Sequence, residues 1–330
     1  MKIEVTLRAF AKLNLGLRVL YKRPDGYHEL RTIFQTISLA DRITLSVTRA
    51  RSTKIEVHGT PDIADNLVAR ASHCILETLK IQSHITISLK KKIPMGAGLG
   101  GGSTDAAAIL LALPVLLRKR LPPDRLAAIA AQLGSDVPFF LHGGTALGLG
   151  RGEELYPLPD FPPARGLLIA PNVHSSTAEA YRDLSTQLTS IELQNKLVTF
   201  QREIWQGIGG LEVAESEKII RIDKNDFEGV VFHRHPELRQ IKQRLLRSGA
   251  DPAAMTGSGS SVFGIFADKG RLEAAKKLFA NDLSAQDQSA RERLYPISFL
   301  TRARYRSAWN RALAPHIEPN LWPPQSPYAR

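Results

Sequence analysis

Apolar and polar residues alternate through Ile3-Glu4-Val5-Thr6-Leu7, the period-two signature of a strand with one buried face. The alternation resumes from Ala9 to Val19, with Ala11, Leu13, Leu15 and Leu17 on one side. Lys12 and Asn14 therefore share the other side and point the same way. Further strands are predicted over 30–37, 41–47, 53–58 and 85–89. A helix over 67–79 follows Asp65 or Asn66 as N-cap, and an Ala/Leu-rich helix ends near residue 117. Pro122-Pro123-Asp124 opens a helix over 125–133 that stops at Gly134, and a strand over 145–150 comes next. The pattern changes at Phe161-Pro162-Pro163, which marks a boundary between domains at 1–160 and 161–308. Beyond it we expect a strand at 167–170 and a helix at 178–184 carrying Tyr181, then polar helical sequence over 185–224. Helices opening at Asn225 and His235, strands at 253–255 and 262–266, a helix at 271–279 and a last strand within 298–305 complete the pattern. Residues 309–330 are proline-rich and predict an extended or disordered tail.

Composition narrows the class. A chain of 330 residues can bury two cores. Its single cysteine, Cys74, rules out an internal disulfide and suits a reducing compartment. No apolar run reaches the ~18 residues that span a bilayer, and the start lacks a signal-peptide core, so a cytoplasmic protein without membrane contact is expected. The net charge of +12 is spread along the chain rather than gathered in one block. It fits attraction of polyanionic small molecules better than nucleic-acid binding.

One stretch carries most of the chemistry: Pro94-Met95-Gly96-Ala97-Gly98-Leu99-Gly100-Gly101-Gly102-Ser103-Thr104-Asp105. Five glycines in seven residues let the backbone take left-handed angles and approach a ligand closely. Ser103 and Thr104 stand where an N-cap would be, and a helix start with unpaired N–H groups suits a phosphate. A tight structural connection is the alternative reading, because the loop lacks the Lys-Ser/Thr ending of a Walker loop and the acid of a dinucleotide fingerprint. Elsewhere, a Pro-Asp-Gly turn delivers Tyr27 and His28 to the next strand. Gly134-Ser135-Asp136-Val137-Pro138 offers a carboxylate that either caps the short turn after it or does chemistry. A second glycine turn runs Thr256-Gly257-Ser258-Gly259.

Taken together and in order, these motifs resemble the galactokinase, homoserine kinase, mevalonate kinase and phosphomevalonate kinase (GHMP) superfamily. The segments Ala11-Lys12-Leu13-Asn14-Leu15, Arg23-Pro24-Asp25-Gly26-Tyr27-His28, Asp65-Asn66-Leu67-Val68 and Leu133-Gly134-Ser135-Asp136-Val137-Pro138-Phe139 are similar to its branch acting on a cytidyl diphosphate methylerythritol. The resemblance implies an α+β, two-domain GHMP kinase fold: a ribosomal protein S5 domain 2-like N-terminal half and a ferredoxin-like α/β C-terminal half. It implies a kinase that uses ATP with Mg²⁺ and a small-molecule acceptor, as monomer or homodimer. Lys12 and Asp136 match the catalytic pair. Asn66, Leu67 and the stretch Pro94, Met95, Gly96, Ala97, Gly98, Leu99, Gly100, Gly101, Gly102, Ser103 and Thr104 match the ATP site. Asn14, Tyr27, His28, Thr177 and Tyr181 match acceptor-binding positions, the two tyrosines as plates on either face of the cytosine. Gly257, Ser258 and Gly259 match a glycine loop that closes over the site. No protein ligand for Mg²⁺ stands out, although Ser103 or Thr104 could help. Another acceptor (homoserine, mevalonate or a sugar) and a basic RNA-binding module are the alternative readings.

Overall fold

A computed structural model describes residues 2–59, 66–173, 175–185, 194, 196–202, 224–286, 293–318 and 321–328. Its backbone is one long antiparallel hairpin, β1 (Lys2–Lys22) with β2 (His28–Arg49), paired from Lys2↔Thr48 to Lys22↔His28. Alternation predicts each arm as two strands. The register shifts at Phe10/Lys12, Asn14/Gly16 and Val19/Tyr21 explain why: bulges break the period-two pattern and bend the strand without ending it.

The other edge of β2 is shared. Its first half pairs with β5 (Thr145–Gly150) and its second half with β4 (Ser83–Lys90). β3 (Lys54–His58) lies parallel to β4, and β6 (Glu154–Pro157) adds to β5. Four residues are too few for β6 to show a period. On this sheet lie α1 (Leu67–Leu79), α2 (Gly101–Leu116), α3 (Pro123–Leu133) and α4 (Val137–Phe140). They bury a core that includes Ile43, Leu45, Ile75, Ile87 and Leu110. Helix α2 starts earlier than the N-cap expected at Ser103 or Thr104. Gly100 is the N-cap, left-handed at φ 68°, and the Thr104 amide already donates to Gly100 O at 2.8 Å. Only glycine takes that cap conformation without strain, which moves the helix start back to the glycine run.

The second sheet is antiparallel, in the order β10 (Leu294–Ser298), β7 (Arg165–Ile169), β9 (Val262–Phe266) and β8 (Ala253–Met255). Helices α5 (Thr177–Ser185), α6 (Phe227–Arg234), α7 (Pro236–Arg247) and α8 (Lys269–Gln286) follow its strands in the chain. The polar sequence expected to be helical over 185–224 lies mostly outside the described residues. Leu17, Val19 and Leu30, near the hairpin's turn, pack into this second core beside Leu167 and Phe227. Ala11, Leu13 and Ile33 join Leu168, Phe263 and Ile297 in a third cluster between the sheets. The hairpin therefore belongs to both halves, and Lys12 and Asn14 sit where they meet.

The C-terminus corrects two expectations. The last strand is β10 at 294–298, not a strand within 298–305, and α9 (Arg302–Leu313) follows. Thr301 caps α9 by accepting the Arg304 amide at 3.2 Å. Tyr305, Trp309 and Leu313 make a stripe at four-residue spacing that packs into the first core, so the chain beyond 308 is no free tail. Among the described residues no helix is long and apolar enough to cross a membrane.

Candidate active site

The irregular stretch of β1 presents Lys12 and Asn14 side by side, both about 3% exposed. Lys12 Nζ donates to Asn14 Oδ1 at 2.6 Å and stands 3.3 Å from Asp136 Oδ2. Asn14 is held in one orientation, since its Nδ2 donates to Thr32 Oγ1 at 2.8 Å and Thr32 donates on to Gly16 O at 2.7 Å. Its Oδ1 must therefore face the ammonium. Asp136 occupies the N-cap position of α4 but makes no capping hydrogen bond; its carboxylate turns to Lys12 instead. Capping does not account for this residue. An ammonium has three donors, so after Asn14 and Asp136 one is left for a ligand oxygen.

Above this pair two glycine loops touch. Gly96, Gly98 and Gly100 have φ of 65°, 74° and 68°. A Cβ on Gly98 would lie 2.2 Å from Thr256 O, and one on Gly100 would lie 2.8 Å from the Phe140 ring and 3.3 Å from Lys12 Cγ. Close approach of backbone to backbone thus requires Gly98, and a packed aromatic ring requires Gly100. Thr256 Oγ1 accepts the Asn14 amide at 3.0 Å and donates to Gly98 O at 3.3 Å, and the Lys12 amide donates to Leu99 O at 3.1 Å. Ala97, Leu99 and Thr104 are buried, whereas Met95, Gly96 and Gly102 are exposed, with Pro94, Gly101 and Ser103 half-buried. The first-turn amides of α2 have no carbonyl acceptor within the helix, the arrangement that suits an anion, and Gly102 among them is exposed. Asn66 caps α1 through its Oδ1, which accepts the Val68 amide at 3.1 Å. Leu67 follows, its Cδ1 3.5 Å from the Cβ position of Gly102. The adenine-side candidates therefore border the glycine loop.

On the acceptor side the rings are arranged differently from the expected pair of tyrosine plates. His28 stacks on Tyr181, centroids 4.8 Å apart and planes at 23°, and its Nε2 lies 2.7 Å from Ser185 Oγ. Tyr27 is 53% exposed and carries the Arg151 guanidinium 4.6 Å above its ring. The Pro-Asp-Gly turn sends adjacent residues to opposite faces, so only one of Tyr27 and His28 can lie against Tyr181. Burial, with Lys22 adding, pushes the His28 imidazole pKa down. Burial, with the Asp136 charge adding, pushes the Tyr181 hydroxyl up. Thr177 Oγ1 and Ser258 Oγ are 2.7 Å apart, and Ser175 Oγ donates to Ser258 O at 2.7 Å. The start of α5 is thus tied to the turn of Gly257, Ser258 and Gly259.

Several supports escaped sequence reasoning. Asn225, read only as a helix opener, is buried and donates from Nδ2 to Met255 O at 2.8 Å and Gly257 O at 2.7 Å. Lys91 bridges Asp41 Oδ2 at 2.5 Å and Asp105 Oδ2 at 2.7 Å beneath the glycine loop. Burial pushes the Asp105 carboxyl up to about 7, with Lys91 opposing and Asp41 adding. Two carboxylates around one buried ammonium leave an excess negative charge, which a retained proton relieves. Among the described residues no group of three or more His, Cys, Asp or Glu side chains gathers to hold a metal ion.

Comparison with known proteins identifies the family. The chain matches the GHMP kinases N terminal domain over residues 66–144 and the GHMP kinases C terminal domain over 213–282. A 4-diphosphocytidyl-2-C-methyl-D-erythritol kinase of Solibacter usitatus (strain Ellin6076) is 52% identical over 98% of this chain and 97% of its own. One from Moorella thermoacetica (strain ATCC 39073 / JCM 9320) is 40% identical over 90% of this chain and 98% of its own. A solved 4-(cytidine 5'-diphospho)-2C-methyl-D-erythritol kinase superposes with a TM-score of 0.70 at 34% identity, covering 89% of this chain and 98% of that one. With full-length matches at that identity, and a lysine–acid pair set under touching glycine loops, the chain belongs to the 4-diphosphocytidyl-2-C-methyl-D-erythritol kinases of the GHMP superfamily.

Proposed function

We infer that this chain transfers the γ-phosphoryl group of ATP to the 2-hydroxyl of 4-diphosphocytidyl-2-C-methyl-D-erythritol, a step in the non-mevalonate route to isoprenoid precursors. The observation that carries the site assignment is the Lys12–Asp136 contact of 3.3 Å, braced by Asn14, at the meeting of the two glycine loops. ATP enters as its magnesium complex. The metal would be held mainly by phosphate oxygens and water and would neutralise phosphate charge; among the described residues no group of three or more His, Cys, Asp or Glu side chains gathers to hold it. The amides of Gly101, Gly102 and Ser103 take the phosphates, and Asn66 and Leu67 border the base.

The acceptor oxygen attacks the γ-phosphorus while the bond to the ADP oxygen breaks, and the hydroxyl proton passes to Asp136. The free donor of Lys12 holds the equatorial oxygens and compensates their charge. Phosphoryl transfer asks for in-line placement more than for a strong base, and Asp136 meets that need by being pinned to Lys12. Asn14 and Thr177 orient the erythritol. A flat base adds to the His28–Tyr181 stack or slides between it and Tyr27.

The test is ADP release with this acceptor beside homoserine and mevalonate. Turnover with the cytidyl acceptor alone is expected, and turnover with another acceptor instead would overturn the substrate. Asp136→Asn and Lys12→Ala should each lower kcat by about 10²–10⁴-fold with the fold intact; unchanged kcat in either removes that residue from the chemistry.

A further inference from the structure

Beyond the glycine loops, a second structure reaches the turn that carries Asp136, and it comes from the C-terminus. α4 is a single turn: the amides of Leu141, His142 and Gly143 fold back on Pro138 O and Phe139 O, which leaves the carbonyls of Phe140 and of Leu141 just after it to other donors. Two aromatic donors take them. Tyr305, buried on α9, donates its hydroxyl to Phe140 O at 2.5 Å, and Trp322 donates Nε1–H to Leu141 O at 2.9 Å. The seat is shaped for this. Gly143 has φ 64°, and a Cβ there would stand 2.4 Å from the Tyr305 ring. Beside it, Asp160 accepts both the Thr145 amide at 3.1 Å and the Arg302 amide at 2.7 Å, which fixes the start of α9 to the chain after α4. Phe10 and Trp322 flank the Tyr305 ring at 5.8 and 6.1 Å, and the Arg306 guanidinium covers Trp322 at 5.1 Å.

Through the side chains of this same turn α4 also meets the catalytic lysine. Phe139 packs on Phe34 at 5.0 Å, Phe34 presents its face to Lys12 Nζ at 5.4 Å, and Phe140 fills the space beside Gly100. A helix of one turn has no stability of its own. Its place, and hence the place of Asp136 at its start, is set by what grips its ends.

We propose that Tyr305 and Trp322 are positioning residues for Asp136: their donors on the carbonyls of Phe140 and Leu141 make the C-terminal segment a strap that holds the catalytic turn against Lys12. This rests on the kinase reading above. Tyr305→Phe and Trp322→Phe each delete one donor and keep a ring. Each should lower kcat about tenfold, because small misplacement of a reacting group is costly, while KM for ATP and for the acceptor stays within about twofold. Amide hydrogen exchange over 137–143 should quicken in both variants. Combined with Asp136→Asn, Trp322→Phe should cost no further rate, since the strap acts through the acid.

A fall in Tm with kcat intact would overturn the proposal, as would the same fold-loss of rate in the Asp136→Asn background. Should Tyr305→Phe fail to fold, Trp322→Phe at its half-buried position carries the same test. Absence of turnover in the wild-type chain would count against the kinase reading, whereas exchange over 137–143 would still decide whether the strap holds the turn.

Discussion

Replacing Gly98 by alanine tests whether the two glycine loops depend on direct contact of backbones. At φ 74° an L-residue costs about 1–2 kcal/mol from its own conformation. The new methyl would also stand 2.2 Å from Thr256 O and 3.1 Å from Gly259 O, both backbone atoms that cannot swing aside. Carbon and oxygen sit comfortably at about 3.3 Å, so the loops must part by about 1 Å. Overpacking on that scale costs about 1–3 kcal/mol, which brings the whole to about 2–5 kcal/mol. For 330 residues at about 2.1 cal/mol/K per residue, each kcal/mol lowers Tm by about 1.4 °C. Gly98→Ala should therefore melt about 3–7 °C lower. Parting the loops also loosens Thr256 Oγ1 from Gly98 O and from the Asn14 amide, so KM for ATP should rise. Gly102→Ala is the control. Its methyl would meet only Leu67 Cδ1, at 3.5 Å, and in a helical turn alanine is favoured over glycine by up to about 1 kcal/mol. Thermal unfolding of the two variants beside wild type is the assay. If Gly98→Ala melts with wild type, or Gly102→Ala melts as low as Gly98→Ala, the reasoning from loop contact is refuted.

Asp105 supplies a pH dependence. Its carboxyl is raised from 3.8 to about 7 by burial, so between those values the folded chain keeps a proton that the unfolded chain has released. The stability this group contributes is complete below its unfolded pKa and is lost as pH rises through its folded one. Urea unfolding from about pH 5 to about pH 8 should show falling stability in wild type and a flatter profile in Asp105→Asn; equal slopes would refute the assignment. Tyr27 is exposed, so Tyr27→Ala should leave Tm unchanged while raising KM for the cytidyl acceptor by about tenfold, as loss of a base stack of about 1–3 kcal/mol predicts. An unmoved KM would deny Tyr27 the base and leave the His28–Tyr181 pair as its platform.

The residues of the candidate site were legible as a group because they belong to local patterns. Alternation places Lys12 and Asn14 on one face, and the glycine run and the turn around Asp136 announce themselves by composition. What holds these residues was not legible, because each support acts across a distance that no window of sequence contains. The Thr256 hydroxyl reaches Asn14 across 242 positions, Lys91 reaches Asp41 across 50, and Trp322 reaches Leu141 across 181. None carries a signal in its own neighbourhood. Thr256 precedes a glycine turn, Lys91 sits in a run of three lysines that reads as solvated, and Trp322 lies among prolines that read as a tail. The α9 helix was hidden in the same way, since four arginines over 302–313 mask the stripe of Tyr305, Trp309 and Leu313. The partners of these residues give the better clue. Gly98, Gly100 and Gly143 lack a side chain because Thr256, Phe140 and Tyr305 occupy the space it would need. A glycine at positive φ outside an ordinary turn marks where another part of the chain arrives, and the identity of the arriving residue has to be found in three dimensions.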